Sequence, residues 1–390
     1  MLTGTRHENT KQAGMSHFLE HLVFKGTKTR SAYQIAKSLE ALGGELNAYT
    51  SREHTCYYAL VLKDHWEKGM EVLADLVTNM KVSRENFILE KSVILQEIGM
   101  SDENLEELIY DYYFERSLPK SSLGKPILGT EASISQTTMK SVTEFYKENY
   151  SGSHLIVSAT GNIDHQDLVE AVQKYLGKKP KGRPLVKNKK PKHKAIRAVI
   201  EKPSEQLHLL FGFPVTSFKD RLRFEAFIVN ALLGGGMTSK LFQSVREKRG
   251  LVYSIYSTLN TFTDYGCINI YAACDQKNVK SVFKNVGAEL RRLKKYKISH
   301  HDLQMYKTQV KGALLLGSDD IDNRMNSIAV NEMIFEKYKS IDEVIAEIDQ
   351  VSTKSVKEFI DKYLDQNAVS CILLGKGASE LKDWFEKSEL

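Results

Sequence analysis

The two halves of this chain repeat one order of elements, and that repeat restricts the fold more than any other feature of the sequence. Residues 46 onward, LNAYTSREHTCYYALVLKDHWEKGMEVLADLV, echo residues 259 onward, LNTFTDYGCINIYAACDQKNVKSVFKNVGAEL: Leu-Asn, a turn-rich stretch, a strand, an Asp, then an amphipathic helix. KVSRENFILEKSVIL returns as KISHHDLQMYKTQVK, and SVTEFYKENYSGSHLIVSATG as SVKEFIDKYLDQNAVSCILLG. Each half mixes hairpin strands with long helices. The expected fold class is therefore α+β: two homologous α/β-roll domains, each a mainly antiparallel sheet with helices packed on one face.

Between the halves lies GKKPKGRPLVKNKKPKHK, basic and proline-bearing. It reads as a solvated linker at 179–194, with expected domains at 1–178 and 195–390; a nucleic-acid patch is the competing reading, but no aromatics are interleaved to stack on bases. No nucleic-acid partner is expected, although the net charge is +6. A length of 390 residues, 42% hydrophobic and 27% charged, suffices for two cores. No run approaches the roughly 18 apolar residues of a membrane span. The start, MLTGTRHENTK, lacks the basic-then-apolar order of an export signal, and Cys56, Cys267, Cys274 and Cys371 fall at unrelated spacings. A cytoplasmic setting is expected.

Duplication separates what the fold needs from what chemistry needs. In rough register, HFLEH at 17–21 falls near FIVNALLGGG of the second half and Glu97 near Ala313, so these polar groups are dispensable for folding. At 100° per residue Met15, Phe18, Leu19 and Leu22 gather on one side of a helix that Gly26 ends, and His17, Glu20 and His21 on the other. Two imidazoles at i and i+4 can reach one zinc ion, with Glu20 placed to take a proton from water; a solvated polar face is the alternative. A third ligand is sought in FILEKSVILQEIGM, where Glu90 and Glu97 share a face with Phe87, Val93 and Ile94. Carboxylates in an apolar stripe need a compensating charge, unless they sit at its edge and reach water.

TGTRHENTKQAGMSHFLEHLVFKGT, GGELNAYTSREHTCYY, the Glu90 to Glu97 segment and LLGGGMTSKLFQSVREKRGLVYSIYS resemble signature stretches of the inverted-motif (H-x-x-E-H) zinc metallopeptidases, the pitrilysin, insulin-degrading enzyme and mitochondrial processing peptidase family. The resemblance implies that His17, His21 and Glu97 bind one zinc ion per chain, that Glu20 is the general base, and that Glu90 is an accessory carboxylate holding the site. It implies that Asn47 and Ala48 lie on an edge strand that pairs with substrate backbone; a plain hairpin-turn role for Asn47 competes, since Asn260 repeats it. Arg246 and Tyr253 are implied to bind substrate and stabilise the tetrahedral intermediate, in trans within a homodimer enclosing a chamber; an ordinary helix end competes. The Gly234 to Gly236 run lacks the Lys-Ser/Thr finish of a phosphate-binding loop.

The implied organisation is a zinc-binding catalytic domain at 1–178, short of strands that family members carry before TGTRHE, and a second domain at 195–390 without the metal motif, for substrate binding. The implied function is a zinc-dependent endopeptidase acting on peptides or unfolded segments; a non-catalytic scaffold or peptide-binding subunit of the same fold is the alternative. SDENLEELIYDYYFE, at 101–115, reads either as a chamber wall that prefers basic residues or as an outward-facing helix.

Overall fold

The computed structural model describes residues 1–184 and 189–390, so residues 185–188 of the expected linker lie outside the described residues. The strands are β1 (Glu45–Thr50), β2 (Thr55–Leu60), β3 (Arg197–Ile200), β4 (Leu207–Val215), β5 (Ser254–Thr261), β6 (Gly266–Cys274) and β7 (Ser370–Leu374). The helices of the first half are α1 (Met15–Val23), α2 (Ala32–Glu40), α3 (Trp66–Thr78), α4 (Arg84–Glu103), α5 (Leu105–Ser117), α6 (Glu131–Gln136), α7 (Met139–Asn149) and α8 (His165–Leu176). Those of the second are α9 (Arg223–Leu233), α10 (Val279–Lys295), α11 (His300–Ser318), α12 (Ile321–Phe335), α13 (Ile341–Asp349), α14 (Thr353–Tyr363) and α15 (Lys382–Lys387). None is long and apolar enough to cross a membrane.

The repeat extends to helix caps. Thr138 accepts from the Ser141 N–H to start α7, and Ser352 accepts from the Ser355 N–H to start α14, each as a reciprocal capping box. The chain folds as two compact units: Met1–Asp102, Ser121–Lys189 and Ile321–Met333 form one, and Glu103–Lys120, Lys190–Asp320 and Ile334–Leu390 the other. Two segments thus pack outside their own half: α5 belongs to the second unit, and most of α12 to the first.

The second unit holds a five-stranded sheet, order β3-β7-β4-β6-β5, antiparallel except where β3 runs parallel to β7. Leu207, Leu209, Phe211 and Phe213 of β4 bury one face against Ile228, Val229 and Leu232 of α9 and Val282, Phe283 and Val286 of α10. The reverse face carries α5, whose Tyr113 ring lies over Gly212. Leu105, Leu108, Ile109 and Phe114 are buried while Glu106, Glu107 and Glu115 are exposed, and Glu106 accepts from the Tyr256 hydroxyl of β5 at 2.7 Å, so the acidic run is a helix lying on a sheet.

The first unit has a two-stranded sheet, β1 antiparallel to β2. Its core joins Met15, Phe18, Leu19 and Leu22 of α1 to Phe87 and Ile94 of α4 and to Val142 and Phe145 of α7. Where β6 has a strand on either side, β2 has β1 on one edge and a cavity of about 440 Å³ on the other, lined by α3, residues 155–163 and α12 side chains from Ile321 to Met333. At one end of that gap the Thr55 N–H donates to the Met1 carbonyl (3.0 Å) and the Leu2 N–H to the His154 carbonyl (2.7 Å). No counterpart of β4 fills it among the described residues of this unit.

Candidate metal centre

Helix α1 begins without a cap of its own. Gly14, at its N-cap, is left-handed (φ 85°) and has no side chain to offer. The cap comes from upstream: the buried Glu8 carboxylate accepts from the Gly14 N–H (2.9 Å) and the Ser16 N–H (2.7 Å). That satisfies orphan donors of the first turn. Met15, Phe18, Leu19 and Leu22 are 0–1% exposed, so the apolar stripe locks the helix rotation, and His17, Glu20 and His21 stay half-buried on the other side. Beyond Val23, Gly26 turns the chain at φ 149°.

Helix α4 packs on α1 through Phe87, whose ring stacks on Phe18 at 5.4 Å. Glu97, three turns of helix further along, reaches the imidazoles: its Oε2 lies 3.8 Å from His17 Nε2 and 3.6 Å from His21 Nε2. These separations are too long for hydrogen bonds. Glu97 Oε2 is buried and without a hydrogen-bond partner, as is His17 Nδ1. Ligand atoms ~2.0–2.2 Å from a tetrahedral ion stand roughly 3.3–3.6 Å apart, so two imidazole nitrogens and a carboxylate oxygen, all within 4.8 Å of one another, need only a small closure to fit zinc. Burial, with His21 adding to it, lowers His17 to about 4, so its imidazole is neutral and its lone pair is available near neutral pH.

The surrounding residues orient this cluster. The Glu90 carboxylate, 2% exposed, stands behind His21: Oε2 is 3.1 Å from Nδ1, and Oε1 is 2.8 Å from Lys25 Nζ. A proton on Nδ1 shared with Glu90 leaves the Nε2 lone pair turned toward Glu97, the carboxylate-histidine arrangement of metal sites. Glu90 thus contacts the His21 imidazole on the side away from Glu97. Glu20 accepts a hydrogen bond from the Thr50 hydroxyl, 2.5 Å from its Oε2. Burial raises Glu20 above the ordinary carboxylate range, with Glu97 adding to it and Thr50 and His21 pulling the other way. Sequence reasoning missed Lys25 and Thr50; the i, i+4 spacing of Lys25 from His21 was the one local signal for the former.

Asn47 and Ala48 lie on β1, opposite Tyr58 and Tyr57. Since β1 has β2 on one side only, its other edge is open; alternation puts the peptide groups of Leu46, Ala48 and Thr50 there, and the Ala48 N–H meets the Asn47 Oδ1 at 2.8 Å. Arg246 and Tyr253 belong to the second unit. Arg246 sits in a π-helical turn, Phe242–Glu247, and its guanidinium lies 5.8 Å from the centre of the Tyr253 ring, which is 77% exposed. The half-buried Arg246 and the exposed Tyr253 form a pair on that unit, with Gly250 (φ 59°) turning the chain between them.

In the second unit the corresponding helices, α9 and α11, carry no such cluster; among the described residues the group that could hold a metal ion is His17, His21 and Glu97. Comparison with known proteins agrees with that asymmetry. The family model described as "Insulinase (Peptidase family M16)" matches residues 1–131, and "Peptidase M16 inactive domain" matches residues 136–310. A protein of Streptomyces coelicolor named as an uncharacterized zinc protease is 34% identical across 97% of this chain and 85% of its own. One of Bacillus subtilis with the same description is 34% identical across 91% of this chain and 86% of its own. The crystal structure of a protease from Helicobacter pylori superposes with a TM-score of 0.89 at 20% identity, covering 96% of this chain and 92% of that one.

Proposed function

This chain belongs to the M16 (insulinase, pitrilysin) family of metallopeptidases, and from that premise we propose that it is a zinc-dependent endopeptidase cleaving peptides or unfolded segments inside an enclosed chamber. The observation that carries this reading is the buried, unpartnered Glu97 Oε2 facing two imidazole nitrogens. His17, His21 and Glu97 would hold the ion, three protein ligands with one position open, as catalytic zinc sites have. Zinc, when bound, supplies a Lewis acid and lowers the pKa of water.

The chain's own groups do the rest. Glu20 has one oxygen held by Thr50; the other takes the proton of the attacking water and delivers it to the leaving amine. Burial makes it a stronger base than an ordinary carboxylate. The open edge of β1 at Asn47 and Ala48 receives the extended substrate as an added strand, so backbone pairing holds the peptide and its sequence matters less than its extension. Arg246 and Tyr253 donate to the carbonyl oxygen as it gains charge, supplied by the partner chain of a homodimer. A reducing cytoplasm suits a protein whose four cysteines form no disulfide.

The test is one zinc per chain by elemental analysis, together with peptide-library cleavage that stops on chelation and resumes with zinc. Metal-free protein that cleaves equally well, or metal-loaded protein that cleaves nothing and only binds, would overturn the reading.

A further inference from the structure

We propose that Thr50 is a positioning residue whose hydroxyl fixes the Glu20 carboxylate and ties it to the strand on which a peptide would pair. The inference rests on the endopeptidase reading and extends it to a residue outside the zinc ligands and the base. Thr50 closes β1 beside the hairpin turn, opposite Thr55. Its Oγ1 is 2.5 Å from Glu20 Oε2 and 3.3 Å from Thr55 Oγ1. The Thr55 hydroxyl proton is committed to the Thr3 carbonyl at 2.8 Å. Thr55 can therefore only accept from Thr50, and the single Thr50 proton goes to the nearer, charged acceptor. Charge-assisted hydrogen bonds are the stronger kind.

Two consequences follow from this geometry. Glu20 is the one acidic residue on the polar side of α1, and among the described residues Thr50 is the hydrogen-bond partner of its side chain. Without the hydroxyl, the carboxylate has χ freedom over a half-buried space between helix and strand. Thr50 also lies two residues beyond Ala48, on the same side of β1 by alternation. A backbone pairing register along β1 and the place of the base are then set by one rigid element. A misplacement of about 1 Å in such an arrangement costs on the order of 100-fold in rate.

The experiment compares Thr50→Val, which keeps the β-branched shape and removes the hydroxyl, with Thr50→Ser, which keeps the hydroxyl. Thr50→Val is expected to lower kcat roughly 10- to 100-fold with KM within about two-fold of the unmutated enzyme, and Thr50→Ser to recover kcat to within about three-fold. Zinc content and thermal midpoint should be unchanged in both. A crystal structure of each metal-free variant supplies a second readout: one Glu20 rotamer in the unmutated chain and in Thr50→Ser, several in Thr50→Val. Unchanged kcat in Thr50→Val, a single Glu20 rotamer there, or a loss that Thr50→Ser fails to recover would each overturn the inference. An unmutated chain that cleaves nothing defeats the peptidase reading instead, and the rotamer comparison still decides what Thr50 does to Glu20.

Discussion

At the scale of single residues, the site is a set of groups each of which needs another. His17, Glu20 and His21 were legible as a group because helical periodicity makes i, i+4 neighbours a matter of arithmetic, and carboxylates in an apolar stripe narrowed the next position to Glu90 or Glu97; the choice of Glu97 came from the family resemblance. Lys25 and Thr50 were not legible. The contact of Thr50 with Glu20 joins residues thirty apart in sequence, and no local pattern distinguishes that threonine from a strand threonine. Glu90 was read as an accessory carboxylate, and its geometry gives that role a test: Glu90→Gln should weaken zinc binding about 10- to 100-fold, as removing such outer partners does, measured by competition with a chromogenic chelator. Lys25→Met should leave the Glu90 charge buried and poorly compensated, lowering the thermal midpoint as well as zinc affinity.

At the scale of elements, apolar periodicity foresaw which way α1 faces, since a helix with four buried side chains on one stripe has a single low-energy rotation. It did not foresee what starts the helix. Gly14 offers no side chain, and the cap arrives from Glu8, six residues away and outside any capping-box spacing. Burial pushes Glu8 up to about 7 despite the Gly14 and Ser16 N–H groups and the nearby Lys125. Its folded pKa lies above its unfolded one, so the folded state keeps a proton that the unfolded chain releases. The corresponding stability is present below about pH 4.5 and is lost as pH rises through 7. Glu8→Gln should flatten that slope: in urea denaturation the variant is less stable than the unmutated protein at pH 5, and the gap narrows at pH 8. A second element-level test concerns α5. A methyl at Gly212 would enter the Tyr113 ring, so Gly212→Ala should destabilise by about 1–3 kcal/mol in denaturant titration, the usual range for overpacking.

At the scale of the whole molecule, the duplication foretold two α+β units but not the passage of the chain between them. Helix α5 packs on the sheet of the second unit, and α12 lends most of its length to the first. Neither has a well-defined apolar stripe, and without one the sequence carries no mark of which surface a helix will cover. The proposed homodimer is tested at this scale too. If each site takes Arg246 and Tyr253 from its partner, mixing Glu20→Gln chains with Arg246→Ala chains should restore a fraction of the activity that either lacks alone. Confirmed mixed dimers with no recovered cleavage would place the pair in cis or outside the reaction.

What the sequence determined by itself is whatever short-range geometry can encode: the repeat, the helix faces, the shared face of Glu90 and Glu97, and the pairing of His17 with His21. Only the tertiary structure decided how close Glu97 comes to the imidazoles, what caps α1, what holds Glu20, and which sheet each stray helix covers. The physical reason is that periodicity sets direction within one element. Distances between elements depend on side chains packing across residues far apart in the chain, and a core of interlocking shapes has to be assembled before those distances exist.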